Sequence, residues 1–236
     1  YTDFKFLSDT SKKIFDREAL IGVSITGWMN NPDVLFDKKV LEKGAKIVKE
    51  VNKEVAALLG INAAARTTCV KPSGNASVLL QTASGIHAEH STMYIRNVQM
   101  TKDSEVTQAI QKANPYMVED SVWSATNSDV VVSFPIIPKK GSYVKEDLIG
   151  VDHLAKVKLV QQHWVNAGTN IELCADKGVR HNVSNTILVD DWHEVEQYVY
   201  KNRHSFAGIS FLSMTGDKDF NQAPNTSVIS AKEMVK

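Results

Sequence analysis

Cysteine is scarce in this sequence, which has two copies, Cys69 and Cys174, in 236 residues. Two isolated thiols cannot build a disulfide framework, and their spacing matches no metal-binding motif. A disulfide-stapled scaffold and a cysteine-ligated metal centre are therefore excluded, and we expect no metal site. Both cysteines are interpreted as reduced thiols that pack as small, largely buried side chains.

An excess of charge of either sign is also absent, because Lys and Arg total 27 and Asp and Glu total 27. No overall field draws the molecule to nucleic acid or to an anionic membrane, so a nucleotide would have to be held by a local site. No apolar run approaches the roughly 20 residues that span a bilayer, and the first residues lack a signal-peptide pattern. We therefore expect a soluble protein of the cytoplasm, or of the host cytoplasm if it is viral, without membrane or direct nucleic-acid contacts.

Apolar residues at the helical period predict the main helices of the chain. The clearest helix runs over residues 40–59 and has Gly60 at its C-cap. Other helices are predicted behind short acidic N-caps, from Asp9 to about Leu20, from Asp152 to Gly168, and from Asp191 onward.

Short β-favouring runs alternate with these helices, at residues 65–70, 129–137, 184–189 and 207–212. This alternation predicts an α/β fold of parallel β/α units, and the apolar run at 129–137 is typical of a strand buried on both faces. So few strands can neither close a barrel nor leave their apolar edges exposed without a loss of solubility. We therefore expect part of the fold to lie outside this chain, which begins at Tyr1 rather than at an initiator Met.

The most informative stretch is the sequence TTCVKPSGNAS at residues 67–77. A loop with Ser, Gly and Asn between a strand and a helix presents unpaired backbone N–H groups, which bind phosphate without Lys or Arg. Pro72 fixes the approach, Gly74 lets a ligand come close, and the hydroxyls of Ser73 and Ser77 are expected to add donors. On spacing alone, an ordinary capped turn remains the simpler interpretation.

Further motifs follow this loop in a defined order. They are SGIH at 84–87, YIRNV at 94–98, QQHW at 161–164, HNVSNT at 181–186, FAGIS at 206–210 and DKDFNQAP at 217–224. Together with KPSG at 71–74 they resemble the ribonucleotide reductases, in particular the adenosylcobalamin-dependent (class II) ribonucleoside-triphosphate reductases. The resemblance implies that residues 1–236 form a single unit, the C-terminal half of a ten-stranded α/β barrel of the ribonucleotide reductase and glycyl radical type.

The resemblance also implies which residues form the sites. The loop that would cradle the phosphates of a ribonucleotide consists of Pro72, Ser73, Gly74, Asn75, Ala76 and Ser77. The family usually has Thr at the position of Asn75, which leaves the details of that contact open. The residues that would line the cavity near substrate and cobalamin are Gly85, Ile86 and His87. The residues that would face the cofactor are His181, Asn182, Ser184 and Asn185.

The residues alone allow simpler interpretations of these polar side chains. An ordinary hydrogen-bonded histidine explains His87 equally well and explains His90 better, so neither is assigned a catalytic role. Composition alone also fits a capped polar turn at residues 181–185.

The radical-bearing cysteine of the resembled family is missing. It lies in an Asn-x-Cys-x-Glu finger loop, whereas Cys69 is followed by Val70 and Lys71, and Cys174 by Ala175 and Asp176. No catalytic residue is therefore assigned, and the chain is expected to be inactive alone. The resemblance implies adenosylcobalamin as cofactor and a ribonucleoside di- or triphosphate as substrate. It also implies an upstream N-terminal half that carries the finger loop, which the barrel needs to be complete, and a thioredoxin-like reductant for the whole enzyme.

Two alternatives stay open at this stage. One is a part of the large subunit of an oxygen-dependent (class I) reductase, which binds no cobalamin and takes its radical from a metal-containing partner subunit. That class has a tyrosine pair near its C-terminus, and here Val199 separates Tyr198 from Tyr200. The other is a non-catalytic nucleotide-binding or assembly module with the same fold, for which the missing cysteine is the expected signature.

Overall fold

The computed structural model describes residues 4–214, 220–228 and 230. Its α-helices are α1 (Asp9–Glu18), α2 (Pro32–Leu35), α3 (Lys38–Leu59), α4 (Ala76–Leu79), α5 (Glu105–Ala113), α6 (Gly150–Val160) and α7 (Trp192–Lys201). Its strands are β1 (Tyr94–Thr101), β2 (Val118–Asp120), β3 (Asp129–Ile136), β4 (Thr186–Val189), β5 (Ser210–Ser213) and β6 (Asn225–Ser227). Short 3-10 turns lie at Trp28–Asn30, Pro115–Met117, Lys145–Asp147, Ile171–Leu173 and Arg203–Ser205, and a π-helical turn at Gln161–Val165.

The chain divides into two compact units, whereas the resemblance of its motifs implies a single unit over residues 1–236. The first unit contains the residues up to Ala88 together with Gly141–Tyr143 and Asp147–Met214. The second contains Glu89–Lys140, Val144–Glu146 and the described residues from 220 onward. The last motif of the resemblance, at 217–224, lies partly outside the described residues, which omit 215–219.

The predicted helices are confirmed, with small changes at their starts. In α3 the Asp37 carboxylate accepts a hydrogen bond from Val40 N at 2.9 Å, and Gly60 ends the helix with φ +67°. In α7 the Asp191 carboxylate caps the N-terminus as predicted. The cap of α1 is Ser8 rather than Asp9, because the Ser8 hydroxyl accepts from the amide of Ser11.

The third predicted helix starts earlier and changes its winding. Ile149 is its N-cap, and Asp152 lies in the first turn, where its negative charge interacts favourably with the positive end of the helix dipole. After Val160 the backbone widens into the π-helical turn, in which Asn166 N donates to Gln161 O at 2.9 Å. A buried Thr68 hydroxyl donates to Trp164 O at 2.8 Å, so the widened turn is held from a distant part of the chain.

Parallel pairing in the first unit confirms the expected β/α arrangement there. Residues 21–23 pair with 66–69 through Val23 N to Thr67 O at 2.8 Å and Cys69 N to Val23 O at 3.1 Å. On the other side of that segment, Val70 pairs in parallel with Val183, and β4 pairs in parallel with β5. Four chain segments, 21–23, 66–70, 183–189 and 210–213, therefore follow one another as parallel neighbours.

One hydrophobic core in the first unit holds these segments against α3, α6 and α7. Its fully buried side chains include Trp28, Met29, Leu41, Leu154, Val160, Val183 and Ile187. Burying each such side chain contributes about 1.5–3 kcal/mol of transfer free energy, so this core is the main stabilising feature of the unit.

The second unit corrects one expectation. The predicted run at 129–137 does form a strand, β3, over Asp129–Ile136, but this strand lies in an antiparallel sheet with the order β2-β3-β1-β6 and not in a parallel array. Val130, Val131 and Val132 are buried because β3 is an interior strand, flanked by β1 and β2. A continuous apolar run records burial, and burial does not distinguish a parallel strand from an interior antiparallel one.

No helix in the described part of the chain is long and apolar enough to cross a membrane.

Candidate functional site

The loop at residues 72–77 is shaped by hydrogen bonds around Ser73. The Ser73 hydroxyl accepts from Ser77 N at 3.1 Å, and Ser73 O accepts from the hydroxyls of Ser77 and Ser84, both at 2.9 Å. Thr26 holds the same hydroxyl at 3.1 Å, donates to Ala83 O and accepts from Gly85 N. Because the Thr26 proton goes to Ala83, Ser73 is the donor in the contact with Thr26.

These bonds correct the expected role of the serine hydroxyls. The Ser73 hydroxyl donates to Thr26 and the Ser77 hydroxyl donates to Ser73 O, so neither is free to donate to a ligand. Their contribution is to fix the backbone.

The donors that this loop can offer to a ligand are its backbone N–H groups. Ser73, Gly74, Asn75 and Ala76 have no acceptor for their amide protons among the described residues. Gly74, Asn75 and Ala76 are exposed, and a Cβ added at Gly74 would meet nothing within 4 Å. The helix that follows, α4, is a single turn, and Asn75 does not cap it with its side chain. The groups with which this loop could bind an anion are therefore its consecutive amides, because α4 is too short to provide a long helix dipole.

Gly85 packs directly against the start of this loop. Its φ is +56°, and a Cβ there would lie 3.1 Å from Lys71 O and 3.3 Å from the Pro72 Cα. A side chain at this position would push the loop away, so glycine is required for both the conformation and the close approach.

Ile86 and His87 are held by the first unit. Ile86 is fully buried in the core, so its side chain packs there and is not exposed to a cavity in this chain alone. His87 Nδ1 lies 3.0 Å from Ser84 O, and its Nε2 accepts from Thr186 N at 3.1 Å. Burial lowers the pKa of His87, which agrees with a neutral ring that donates through Nδ1. Both ring nitrogens are used, so His87 positions the backbone at Ser84 and Thr186.

The predicted cofactor-facing segment lies beside the loop. His181 Nδ1 contacts Thr68 O at 3.1 Å, and burial lowers the pKa of this ring. Asn182 O accepts from Val70 N, and the Ser184 hydroxyl accepts from Lys71 Nζ at 3.3 Å. The Asn185 amide donates to Val183 O and Gly208 O, while its buried Oδ1 has no donor among the described residues.

The structure therefore brings the predicted site segments together in the first unit. The loop contacts Gly85 from one side, and Lys71 at its base contacts Ser184 from another. His87 links the turn after Gly85 to the start of β4 through Thr186.

Sequence reasoning missed two residues that build this arrangement. Thr26 fixes Ser73, and the Ser24 hydroxyl accepts from Lys71 N at 2.9 Å at the base of the loop. Both belong to the glycine-flanked run IGVSITG at 21–27, in which alternate hydroxyl residues were the available signal.

Other polar groups have structural roles in this chain. Cys174 is buried, but Cys69 is only half-buried, and burial raises the pKa of the Cys69 thiol, which favours the protonated form. His90 lies in the second unit, where its Nδ1 contacts Lys145 Nζ at 2.9 Å. Within the described residues, no group of three or more His, Cys, Asp or Glu side chains is arranged to hold a metal ion.

Comparison with solved structures identifies the class of fold. The chain superposes on the crystal structure of a B12-dependent (class II) ribonucleotide reductase with a TM-score of 0.74 and 18% sequence identity. The match covers 95% of this chain and 34% of the reductase chain. The chain therefore has the mixed α/β fold of part of that reductase.

Proteins of similar sequence show which type of reductase this chain resembles. The chain is 26% identical to the adenosylcobalamin-dependent ribonucleoside-triphosphate reductase of Euglena gracilis, over 91% of this chain and 28% of the relative. It is 27% identical to a probable enzyme of the same name from Dictyostelium discoideum, over 92% of this chain and 27% of the relative. No family model matches the chain. This chain is similar to adenosylcobalamin-dependent ribonucleoside-triphosphate reductases over about nine-tenths of its length, and the resemblance predicted from its motifs is confirmed. It spans less than a third of the length of these relatives.

Proposed function

We propose that this chain is the C-terminal half of the ten-stranded α/β barrel of an adenosylcobalamin-dependent ribonucleotide reductase, and that it supplies the loop for the substrate phosphates. The observation that carries the proposal is the row of backbone amides from Ser73 to Ala76, which lack acceptors within the described part of the chain and lie on an exposed loop. Relatives that bear this activity in their names match nearly the whole chain.

Phosphate binding in this proposal depends on the backbone. Consecutive amides converge on phosphate oxygens and need no reorganisation, because Thr26, Ser77 and Ser84 already hold Ser73 in place. Lys71 is the nearby cation in the sequence, but its Nζ donates to Ser184, so it supports the base of the loop. The substrate is a ribonucleoside di- or triphosphate, and the names of the relatives favour the triphosphate.

The segment at 181–185 is the proposed cofactor-facing wall. When bound, adenosylcobalamin supplies the radical that starts catalysis. The corrin ring of cobalamin carries amide side chains, which need hydrogen-bond acceptors. Asn185 Oδ1 is an acceptor without a donor, and the neutral His181 ring has Nε2 left after Nδ1 contacts Thr68. The acceptor chemistry of this segment therefore fits the cofactor, and His181 and Asn185 would contribute to holding it.

The hydrogen-abstracting thiyl radical is assigned to a partner polypeptide or an upstream segment. Neither Cys69 nor Cys174 is followed two residues later by Glu, and the Cys69 thiol is biased toward its protonated form. We expect the chain alone to form no deoxynucleotide, and to do so once joined to an N-terminal half that carries the finger-loop cysteine, with a thioredoxin-like reductant to restore the thiols.

The proposal is tested with a substitution that adds a negative charge to the loop and keeps the shape of the side chain. Asn75→Asp is isosteric and adds a negative charge beside the free amides, so in the reconstituted reductase it should raise KM for the nucleotide about tenfold and leave kcat within about twofold. Asn114→Asp, at another exposed asparagine, in the second unit, is the matched control and should change neither. An unchanged KM in Asn75→Asp would show that this loop does not bind the substrate phosphates.

A non-catalytic nucleotide-binding module is the alternative, and the relatives, which bear the name of the reductase, do not favour it. Calorimetric titration of the isolated chain with a ribonucleoside triphosphate separates the two. Tight binding by the chain alone favours the module, and binding only after reconstitution favours the split enzyme. The class I alternative is not favoured, because the relatives named above are adenosylcobalamin-dependent enzymes.

A further inference from the structure

The first unit has an apolar groove that the phosphate site does not use. It has a volume of about 750 Å³ and lies between α1, α3 and the extended residues 20–23. Its lining is mostly aliphatic and aromatic, and includes Phe15, Ile21, Ile47, Val51, Val55 and Leu59.

The exposed side of α3 accounts for one wall of this groove. Leu41 and Ala45 on one side of the helix are buried against the core. Ile47, Val51, Val55 and Leu59 recur at four-residue spacing on another side and are 50%, 51%, 44% and 62% exposed. A surface helix normally needs one apolar stripe, so the second stripe is expected to have a partner of its own.

An open strand edge accounts for the other wall. Ile21 N and Val23 N donate to the segment at 66–67, so the intervening Gly22 and Ser24 direct their backbone groups away from it. Among the described residues, the N–H groups of Gly22 and Ser24 have no acceptor, and residues 20–24 are exposed. An uncovered edge of a parallel array with apolar side chains is a site for pairing with a further strand.

We propose that this groove is where the remainder of the reductase docks, through a β-strand that pairs with Gly22 and Ser24 and an apolar helix that packs on Ile47, Val51 and Val55. The inference rests on the proposed function. Two observations select this occupant. The relatives are single chains more than three times as long as the part matched here, so most of their polypeptide lies outside it. The groove also combines a strand edge with a helix stripe, which is the complement of one β/α unit.

The test measures association between this chain and the remaining part of the reductase from the same source, expressed as a separate polypeptide. Val51→Asp places a charge in the middle of the helix stripe, and it should weaken association at least about tenfold because the charge would be buried without a partner. Val106→Asp is the matched control, since Val106 is a 59% exposed valine on α5, outside the groove, and the substitution should leave association unchanged. Circular dichroism of both variants checks that the helices are retained.

Three outcomes would overturn the proposal. The first is association of Val51→Asp with the same affinity as the unmodified chain. The second is no association of the unmodified chain with the remaining part. The third is self-association of the unmodified chain that Val51→Asp abolishes while the remaining part does not bind, because the groove would then join two copies of this chain.

Deoxynucleotide formation by the mixture distinguishes this inference from the proposed function. If the two parts form a complex that Val51→Asp weakens but that makes no deoxynucleotide, the interface is supported and the proposed function is wrong. If the complex makes deoxynucleotide and Val51→Asp does not weaken it, the proposed function is supported and the interface is wrong.

Discussion

Thr26 and Ser73 are 47 residues apart in the sequence, and their hydroxyl oxygens lie 3.1 Å apart in the structure. Thr26 also donates to Ala83 O and accepts from Gly85 N, so one side chain joins the loop that carries the free amides to the turn that supports it. The shape of the candidate phosphate site therefore depends on a residue outside its motif.

Thr26→Val removes these hydrogen bonds while keeping the side-chain shape. It leaves Gly85 N without its acceptor, and we expect a loss of about 1–2 kcal/mol in the free energy of unfolding, measured by urea titration. In the reconstituted reductase, KM for the nucleotide should rise about fivefold, equivalent to ~1 kcal/mol, because Ser73 loses a partner.

Thr82→Val is the matched control for this experiment. The Thr82 hydroxyl is buried and has no hydrogen-bond partner among the described residues, so its replacement by a methyl group should be neutral or slightly stabilising. Equal destabilisation by the two variants would mean that Thr26 contributes through packing alone.

Gly85→Ala tests the close approach between the turn and the loop. Gly85 and Gly60 both have positive φ, at +56° and +67°, so alanine is strained at either position. At Gly60 an added Cβ meets nothing within 4 Å, whereas at Gly85 it meets Lys71 O at 3.1 Å. We expect Gly85→Ala to reduce the free energy of unfolding by about 1–2 kcal/mol more than Gly60→Ala does. A raised KM in Gly85→Ala, with KM unchanged in Gly60→Ala, would show that the added Cβ at Gly85 displaces the phosphate loop.

Local sequence signals predicted the features that depend on neighbouring residues. The cap at Asp191 and the glycine stop at Gly60 require a few adjacent residues only, and both are confirmed. The open loop at 72–77 is local in the same sense, since Pro72 restricts the backbone and Gly74 has no side chain to block the approach of a ligand.

The features that sequence reasoning missed depend on distant partners. Thr26 acquires its role from Ser73 and Ala83, and the π-helical turn after Val160 is held by Thr68. The apolar run of β3 predicted a strand, but its antiparallel neighbours are chosen by pairing with β1 and β2, which no single-strand pattern encodes.

The buried ion pair between Glu18 and Arg66 anchors the end of α1 to the segment that leads into the loop. Arg66 Nη1 donates to Glu18 Oε2 at 2.9 Å, and its other guanidinium nitrogens donate to Val179 O and Asp176 O. Because removal of Glu18 would leave a buried cation, Glu18→Ala should reduce the free energy of unfolding by about 3–5 kcal/mol.

The exposed pair of Lys46 and Glu50 provides the comparison for that substitution. Its atoms are 3.8 Å apart on the surface of α3, and solvent screens the interaction, so Glu50→Ala should change the free energy of unfolding by no more than about 0.5 kcal/mol. Urea titration of both variants at neutral pH measures the difference. Similar small effects would show that solvent reaches the Arg66 guanidinium.

His153 should make the stability of the first unit depend on pH. Burial lowers its pKa from 6.5 to about 4, and its Nε2 contacts Ile86 O at 3.0 Å. Burial also lowers the pKa of His87 and of His181, so below pH ~6.5 the unfolded chain binds more protons than the folded chain. The free energy of unfolding should therefore be highest above pH ~6.5 and decrease toward pH 4, by about 3 kcal/mol for His153 alone. Urea titrations at pH 7.5 and pH 5 should show a smaller decrease in His153→Gln, which keeps an N–H donor near Ile86 but does not titrate. His193→Gln, at an exposed histidine on α7, should keep the full decrease, and an equal decrease in both variants would assign the pH dependence to groups other than His153.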